Sequence, residues 1–96
     1  MESDMNTAAR LVPTIVNTLT KHFLYAFSLK LGDFADYIAI SIKWQMQHPG
    51  SRTAGDVIRR IPALRKSWDS EILSEQVDWQ DGCGTTIITL RPKKEE

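Results

Sequence analysis

The residues best suited to chemistry form a basic cluster in the second half of the chain. Five cationic side chains fall between positions 52 and 66, where Asp56 is the only acid. Guanidinium and ammonium groups bind phosphate oxygens, and serine hydroxyls donate to phosphates or base edges. The cluster therefore predicts contact with duplex DNA. The candidate DNA-binding residues are Arg52, Arg59, Arg60, Arg65, Lys66, Ser67 and Ser70.

The stretch that follows carries the opposite charge. Residues 67–84 contain five acidic side chains and no basic one. Several carboxylates together repel a phosphate backbone, whereas a surface that is basic on one side and acidic on the other suits contact with a protein. Two interpretations stay open: a small regulator that binds duplex DNA, and a protein-interaction module, a small subunit or inhibitor, that binds no nucleic acid. The basic residues also fit a plain solvated helix face.

The bulk composition narrows the class of protein. With 96 residues and 42% hydrophobic content, the chain is long enough for one domain with one core. Twelve basic residues balance twelve acidic ones, so the chain has no general attraction to nucleic acid or membrane. The single cysteine, Cys83, fits a reducing compartment, and the apolar stretch 11–31 contains too many polar residues to span a membrane. We therefore predict a cytoplasmic protein.

The first half of the chain has the apolar spacing of helices. Apolar residues recur at intervals of three and four from Leu11 to Leu31, which predicts one long helix that Gly32 ends. Asp33 then caps a second helix over residues 34–47. This half is more apolar than a lone domain requires. We therefore predict that residues 1–32 form a helical dimerisation element and that the protein is a homodimer.

The second half predicts two short helices and a hairpin. Either Ser51 or Thr53 is the expected cap of the third helix, and Pro62 stops that helix in a tight turn. A fourth helix over residues 64–73 is expected to bury Trp68. Alternation over residues 77–90, interrupted by two glycines, predicts a β-hairpin.

This order of elements resembles a winged helix-turn-helix of the multiple-antibiotic-resistance-regulator type. The resemblance covers residues 33–92, with a helix over 34–47, HPGSRTAGDVIRRI, the turn PAL, the recognition helix RKSWDSEILSEQ and the wing VDWQDGCGTTIITLRP. It implies an α+β fold, mostly helical, with a long N-terminal helix that dimerises and a C-terminal β-hairpin. Residues 93–96 are expected to be a frayed tail. By this resemblance, Arg65 and Lys66 open a recognition helix that lies in the major groove.

Other chemistry has no support in the sequence. The residues 22, 48 and 83, two histidines and a cysteine, are too far apart for metal-ligand spacing, and no catalytic set is visible. We predict no enzyme activity, no metal and no cofactor. Cys83 is expected to be an inert thiol in a glycine-flanked turn. Trp79 either packs with Trp68 between the fourth helix and the hairpin or anchors a partner protein.

Overall fold

The computed structural model of the chain describes residues 4–93. The predicted tail lies outside these residues except for Lys93, as do the first three residues of the predicted dimerisation element. Strands hold 44% of the chain and helices 29%, so the α+β class holds but the mostly helical fold was wrong. The elements are α1 (Asp4–Ala9), α2 (Val12–Lys21), β1 (Leu24–Asp33), β2 (Ile38–Met46), α3 (Ala54–Ile58), α4 (Pro62–Lys66), β3 (Trp68–Asp78) and β4 (Cys83–Pro92).

The four strands form one antiparallel sheet in the order β1-β2-β4-β3. β1 and β2 are joined as one hairpin and β3 and β4 as a second, and β2 pairs with β4 where the hairpins meet. The chain crosses from β2 to β3 through α3 and α4. The hairpin that the sequence predicted as a wing is therefore part of the main sheet, and β4 is one of its two central strands.

The long N-terminal helix was a wrong prediction, because α2 ends at Lys21 and the chain enters β1 at Leu24. Phe23, with a φ of 62°, turns the backbone between them. Within β1 the alternation of buried residues is interrupted by a bulge between Ala26 and Ser28. One extra residue lengthens an interval of two to an interval of three, which is why this strand imitates helical spacing.

The predicted helix over residues 34–47 was also wrong, since most of it is strand β2. Ile38, Ile40, Ile42 and Trp44 alternate along β2, and all four are buried. Period-two burial of β-branched and aromatic side chains is the signature of a strand. The alternation is unbroken here, so this strand was readable from the sequence.

The helix-turn-helix was wrong as well. The third helix spans only Ala54–Ile58, although Thr53 does cap it, accepting a hydrogen bond from the Asp56 N–H at 3.2 Å. Pro62 begins α4 rather than ending a helix, and α4 stops at Lys66. The predicted recognition helix over 64–73 therefore lies mostly in β3, which begins at Trp68.

The core lies between the helices and one face of the sheet. This covered face consists of alternate strand residues, and the helices add buried side chains from Ala8, Ile15, Leu19 and the α3–α4 segment. Side chains from both sides of residue 32 therefore share one core. The largest fully buried residues are Trp44, Ile15, Leu19, Leu24, Ile40, Ile42, Leu64, Ile88 and Leu90.

Candidate interaction surface

The seven predicted DNA-binding residues do not lie on one helix. Arg52 precedes α3, Arg59 and Arg60 follow it, Arg65 and Lys66 end α4, and the two serines lie at the end of α4 and on β3. Six of them are exposed and Ser70 is half-buried. Arg59 and Arg65 line separate clefts that both include Ser70 and Glu71. Glu71, an acidic residue on the edge strand β3, therefore lies beside part of this basic group.

The second face of the sheet is the open face, which no helix of residues 4–93 covers. It consists of the strand residues that alternate with the buried ones, together with the loop between β1 and β2. Large apolar side chains are exposed on it. Tyr25 is 55% exposed, Phe27 53%, Phe34 51% and Leu73 62%. Exposed aromatic and aliphatic groups gathered on one surface mark an interaction site.

Two of these side chains occupy equivalent places at opposite edges of the sheet. Phe27 is the extra residue of the bulge in β1, and Leu73 is the extra residue of a bulge in β3 between Ile72 and Ser74. Phe27 lines a groove with Lys43 and other open-face residues, and Leu73 lines another with Ile87. Each bulge therefore adds a large apolar side chain to the open face.

The loop between the first two strands adds an aromatic cluster. The rings of Phe34 and Tyr37 are stacked with their centroids 5.0 Å apart, and the Arg91 guanidinium lies 5.3 Å from the Tyr37 centroid. An apolar groove of about 360 Å³ lies beside this cluster, lined by Phe34, Tyr37, Leu73 and Ile87 among others. Stacked rings lose little freedom when a partner binds them, so the cluster is suited to recognition.

Charge divides the open face into two halves. Lys30 on β1 and Lys43 on β2 lie on one half, and β3 on the other half carries Asp69, Glu71 and Asp78 at open-face positions. Asp69 is the cross-strand neighbour of an arginine on β4, Arg91. Apart from Asp36 in the β1–β2 loop, the remaining charges are two strand lysines on the β1–β2 half and two carboxylates on the β3 edge. The open face thus has a basic and an acidic half, and the basic half is formed by lysines outside the 52–66 cluster.

Trp79 lies in the β3–β4 turn and is 66% exposed, so of the two interpretations the structure excludes burial beneath the fourth helix. Side-chain hydrogen bonds hold this turn in place. The Asp78 carboxylate accepts hydrogen bonds from the N–H groups of Gln80 and Asp81, and the Gln45 side-chain amide donates to the Asp81 carbonyl at 2.9 Å. Trp68, by contrast, is buried beside the α3–α4 segment.

A chain of hydrogen bonds lies on the covered face, directly behind the open face. The Trp44 indole N–H donates to the Thr86 hydroxyl at 2.9 Å, and that hydroxyl donates to the Glu75 carboxylate at 2.6 Å. The same carboxylate accepts from the Gly55 N–H at 2.7 Å. These hydrogen bonds join β2, β4 and β3 to the start of α3. No local sequence pattern indicates them, because the residues are far apart in the sequence.

The remaining candidate residues form no site. Among residues 4–93, no group of three or more histidine, cysteine, aspartate or glutamate residues is placed to hold a metal ion. His22 and His48 are both exposed. Cys83 is a half-buried free thiol that begins β4 on the open face, rather than a residue of the turn itself. The absence of enzyme activity and of a cofactor stays a prediction.

Comparison of the chain with models of protein families, with curated proteins and with solved structures found no significant match. The resemblance to a winged helix-turn-helix regulator therefore rests on the sequence pattern alone. None of the helices within residues 4–93 has the length and apolar character that crossing a membrane requires.

Proposed function

We propose that the protein is a protein-interaction module that binds its partner through the open face of the sheet. The observation that carries this proposal is the set of half-exposed apolar side chains, Tyr25, Phe27, Phe34 and Leu73, on a sheet face without a helix over it. Burying apolar area stabilises a complex by about 25 cal/mol per Å² before the costs of association. These residues are therefore the expected source of affinity.

The chemistry of the face favours a protein over a nucleic acid. Aromatic rings beside lysines, such as Tyr25 and Phe27 near Lys43, also occur on surfaces that stack single-stranded bases. Here Glu71 and Asp78 occupy the opposite edge of the same face, where a phosphate backbone would be repelled. A protein surface with both signs of charge matches such a face.

Duplex DNA binding stays an untested prediction. It was drawn from the basic cluster of residues 52–66 and from a recognition helix, and the residues assigned to that helix lie in α4 and β3. We place the proposed function in the cytoplasm, because a face that includes the free thiol of Cys83 stays unmodified in a reducing compartment.

The test is site-specific photo-crosslinking in the cell that makes the protein. Benzoylphenylalanine at Leu73 is expected to give one discrete adduct that protease destroys and nuclease does not. The same group at Arg60, which is exposed on the helix side, is the matched control and is expected to give none. A Phe27→Glu change on the open face is expected to abolish the adduct.

Two results would overturn the proposal. One is an adduct at Leu73 that nuclease digests, which would assign the face to nucleic acid. The other is the absence of any adduct at Leu73, Phe27 and Ile87 alike, which would leave the open face without a partner.

A further inference from the structure

We infer that the partner of the open face is a second copy of this chain. The inference rests on the proposed function, of which it names the partner. It follows from the arrangement of charge on the face, because the two halves of the face complement each other. A symmetric dimer uses the same surface on both copies, so a self-complementary face satisfies both copies at once.

The charges select one orientation of the two copies. When two sheets lie face to face around a two-fold axis parallel to the strands, β1 of one copy faces β3 of the other. The lysine half of each copy then lies over the carboxylate edge of the other copy, so this contact occurs twice in the dimer. An axis across the strands would instead place β1 on β1 and β3 on β3, which brings Lys30 near Lys30 and Glu71 near Asp78. Like charges facing each other are unfavourable, so the first orientation is selected.

The positions of the charges along the strands agree with this orientation, because such an axis keeps each residue at its own level. Through the ladder, Lys30 is level with Ser41, Ile87 and finally Ser74. The next open-face carboxylate beyond Ser74 is Glu71, two ladder positions or about 7 Å along the strand. The lysine and glutamate side chains together span this offset across the gap of about 10 Å between facing sheets.

The second pair of charges has the same offset along the strands, but Lys43 lies on β2, which faces β4, so Asp78 is also one strand, or about 4.8 Å, to the side. Lys43 is level with Thr85 and Gln76, and Asp78 lies two ladder positions farther along β3. Each lysine of one copy therefore lies within reach of a carboxylate of the other. The dimer has four such pairs, two from each half of the interface.

The middle of the interface has the size and composition that face-to-face packing requires. Near the axis lie β2 and β4, whose open-face residues include the small Ala39 and Ser41 and the apolar Ile87. Small side chains at the centre let two sheets approach to about 10 Å. Phe27 and Leu73 at the two edges then enclose this centre, each facing the opposite half of the partner copy.

The available area fits a dimer of moderate affinity. Four strands about 4.8 Å apart and roughly 30 Å long present on the order of 500–600 Å² in projection. The exposed rings of Tyr25 and Phe34 protrude from the face and add to this projected area. A standard interface buries about 800 Å² on each partner, so we expect a dissociation constant in the micromolar range.

The decisive experiment is a charge exchange followed by sedimentation velocity. Lys30→Glu alone and Glu71→Lys alone are each expected to weaken the dimer at least about tenfold, because each change creates two like-charge pairs. An equal mixture of the two variants is expected to form a heterodimer as stable as the unmodified dimer. In that heterodimer, every exchanged pair is again of opposite charge.

Matched controls separate this effect from a change in folding. Arg60→Glu on the helix side is expected to leave the dimer intact and, mixed with Glu71→Lys, to restore nothing. All variants are expected to keep the urea midpoint of the unmodified monomer. Raising the salt concentration is expected to weaken the unmodified dimer, since its Lys30–Glu71 pairs lie at the rim of the interface.

The outcomes distinguish this inference from the proposed function. A chain that stays monomeric at high micromolar concentration, or a mixture that fails to form the heterodimer, overturns the inference. If the Leu73 crosslink then contains a different protein, the proposed function stands without a dimer. If no crosslink forms either, both fail.

Discussion

The covered face and the open face of the sheet consist of alternate residues of the same strands, so they share one backbone and differ only in side chains. The covered face contains fully buried residues such as Ile40 and Trp44, and its polar groups are joined by hydrogen bonds. The open face exposes rings and places its strand lysines and its unpaired carboxylates on separate halves. The difference indicates that stability resides on one face and recognition on the other.

The largest expected effect is on the covered face. Trp44→Ala removes the largest fully buried side chain and should lower the free energy of unfolding by about 3–5 kcal/mol. A domain of this size has roughly 5–15 kcal/mol in total, so the variant loses a large fraction of its stability and is expected to unfold at a much lower urea concentration. Urea denaturation followed by circular dichroism measures the change. A loss below about 1 kcal/mol would contradict the assignment of stability to this face.

An intermediate effect is expected from two adjacent threonines on opposite faces. Thr86→Val removes the hydroxyl that joins Trp44 to Glu75, which leaves a buried indole N–H without an acceptor and should cost about 1–3 kcal/mol. Thr85→Val is the same substitution on the open face and is expected to change the free energy of unfolding by less than about 0.5 kcal/mol. Equal losses of unfolding free energy for the two variants would contradict the conclusion that stability resides on the covered face.

The smallest effect on stability is expected at the bulge residue of β3. Leu73→Ser replaces a side chain that is 62% exposed, so the unfolding free energy of the monomer should change by less than about 0.5 kcal/mol. Dimerisation, followed by sedimentation velocity, is nevertheless expected to fall at least about tenfold, because the lost apolar area lies in the interface. If stability falls and dimerisation does not, the roles of the two faces are reversed.

The part of the fold that was readable from the sequence is the part with unbroken local patterns. The strict alternation of residues 38–46 marks β2, and Thr53 marks the start of α3 by an ordinary capping hydrogen bond. Strands β1 and β3 were predicted as helices for different reasons. The bulge in β1 lengthens an apolar interval to three, whereas in β3 Trp68 and Ile72 are four residues apart because the alternate residue between them is the polar Ser70. Both intervals also occur in a helix.

The interaction surface was less readable, because long-range pairing creates it. Phe27 and Leu73 lie on one face only because β2 pairs with β4 and each hairpin adds its own bulge. No local pattern specifies that pairing. The sequence did show the excess of apolar residues near the N-terminus and the separation of charge along the chain. It assigned them to a dimerising helix and a DNA surface, whereas the structure distributes them over the covered and open faces.

The bulge at Leu73 also affects how the chain tolerates changes in length. Deleting a residue from a regular strand moves every later side chain to the opposite face, which destroys the core. Deleting Leu73 instead leaves Ile72 opposite Ile88 and Ser74 opposite Ile87, because the residue has no partner of its own in the ladder. The interaction surface can therefore lose or regain its most exposed aliphatic side chain by a one-residue change in length. The fold beneath it keeps its register.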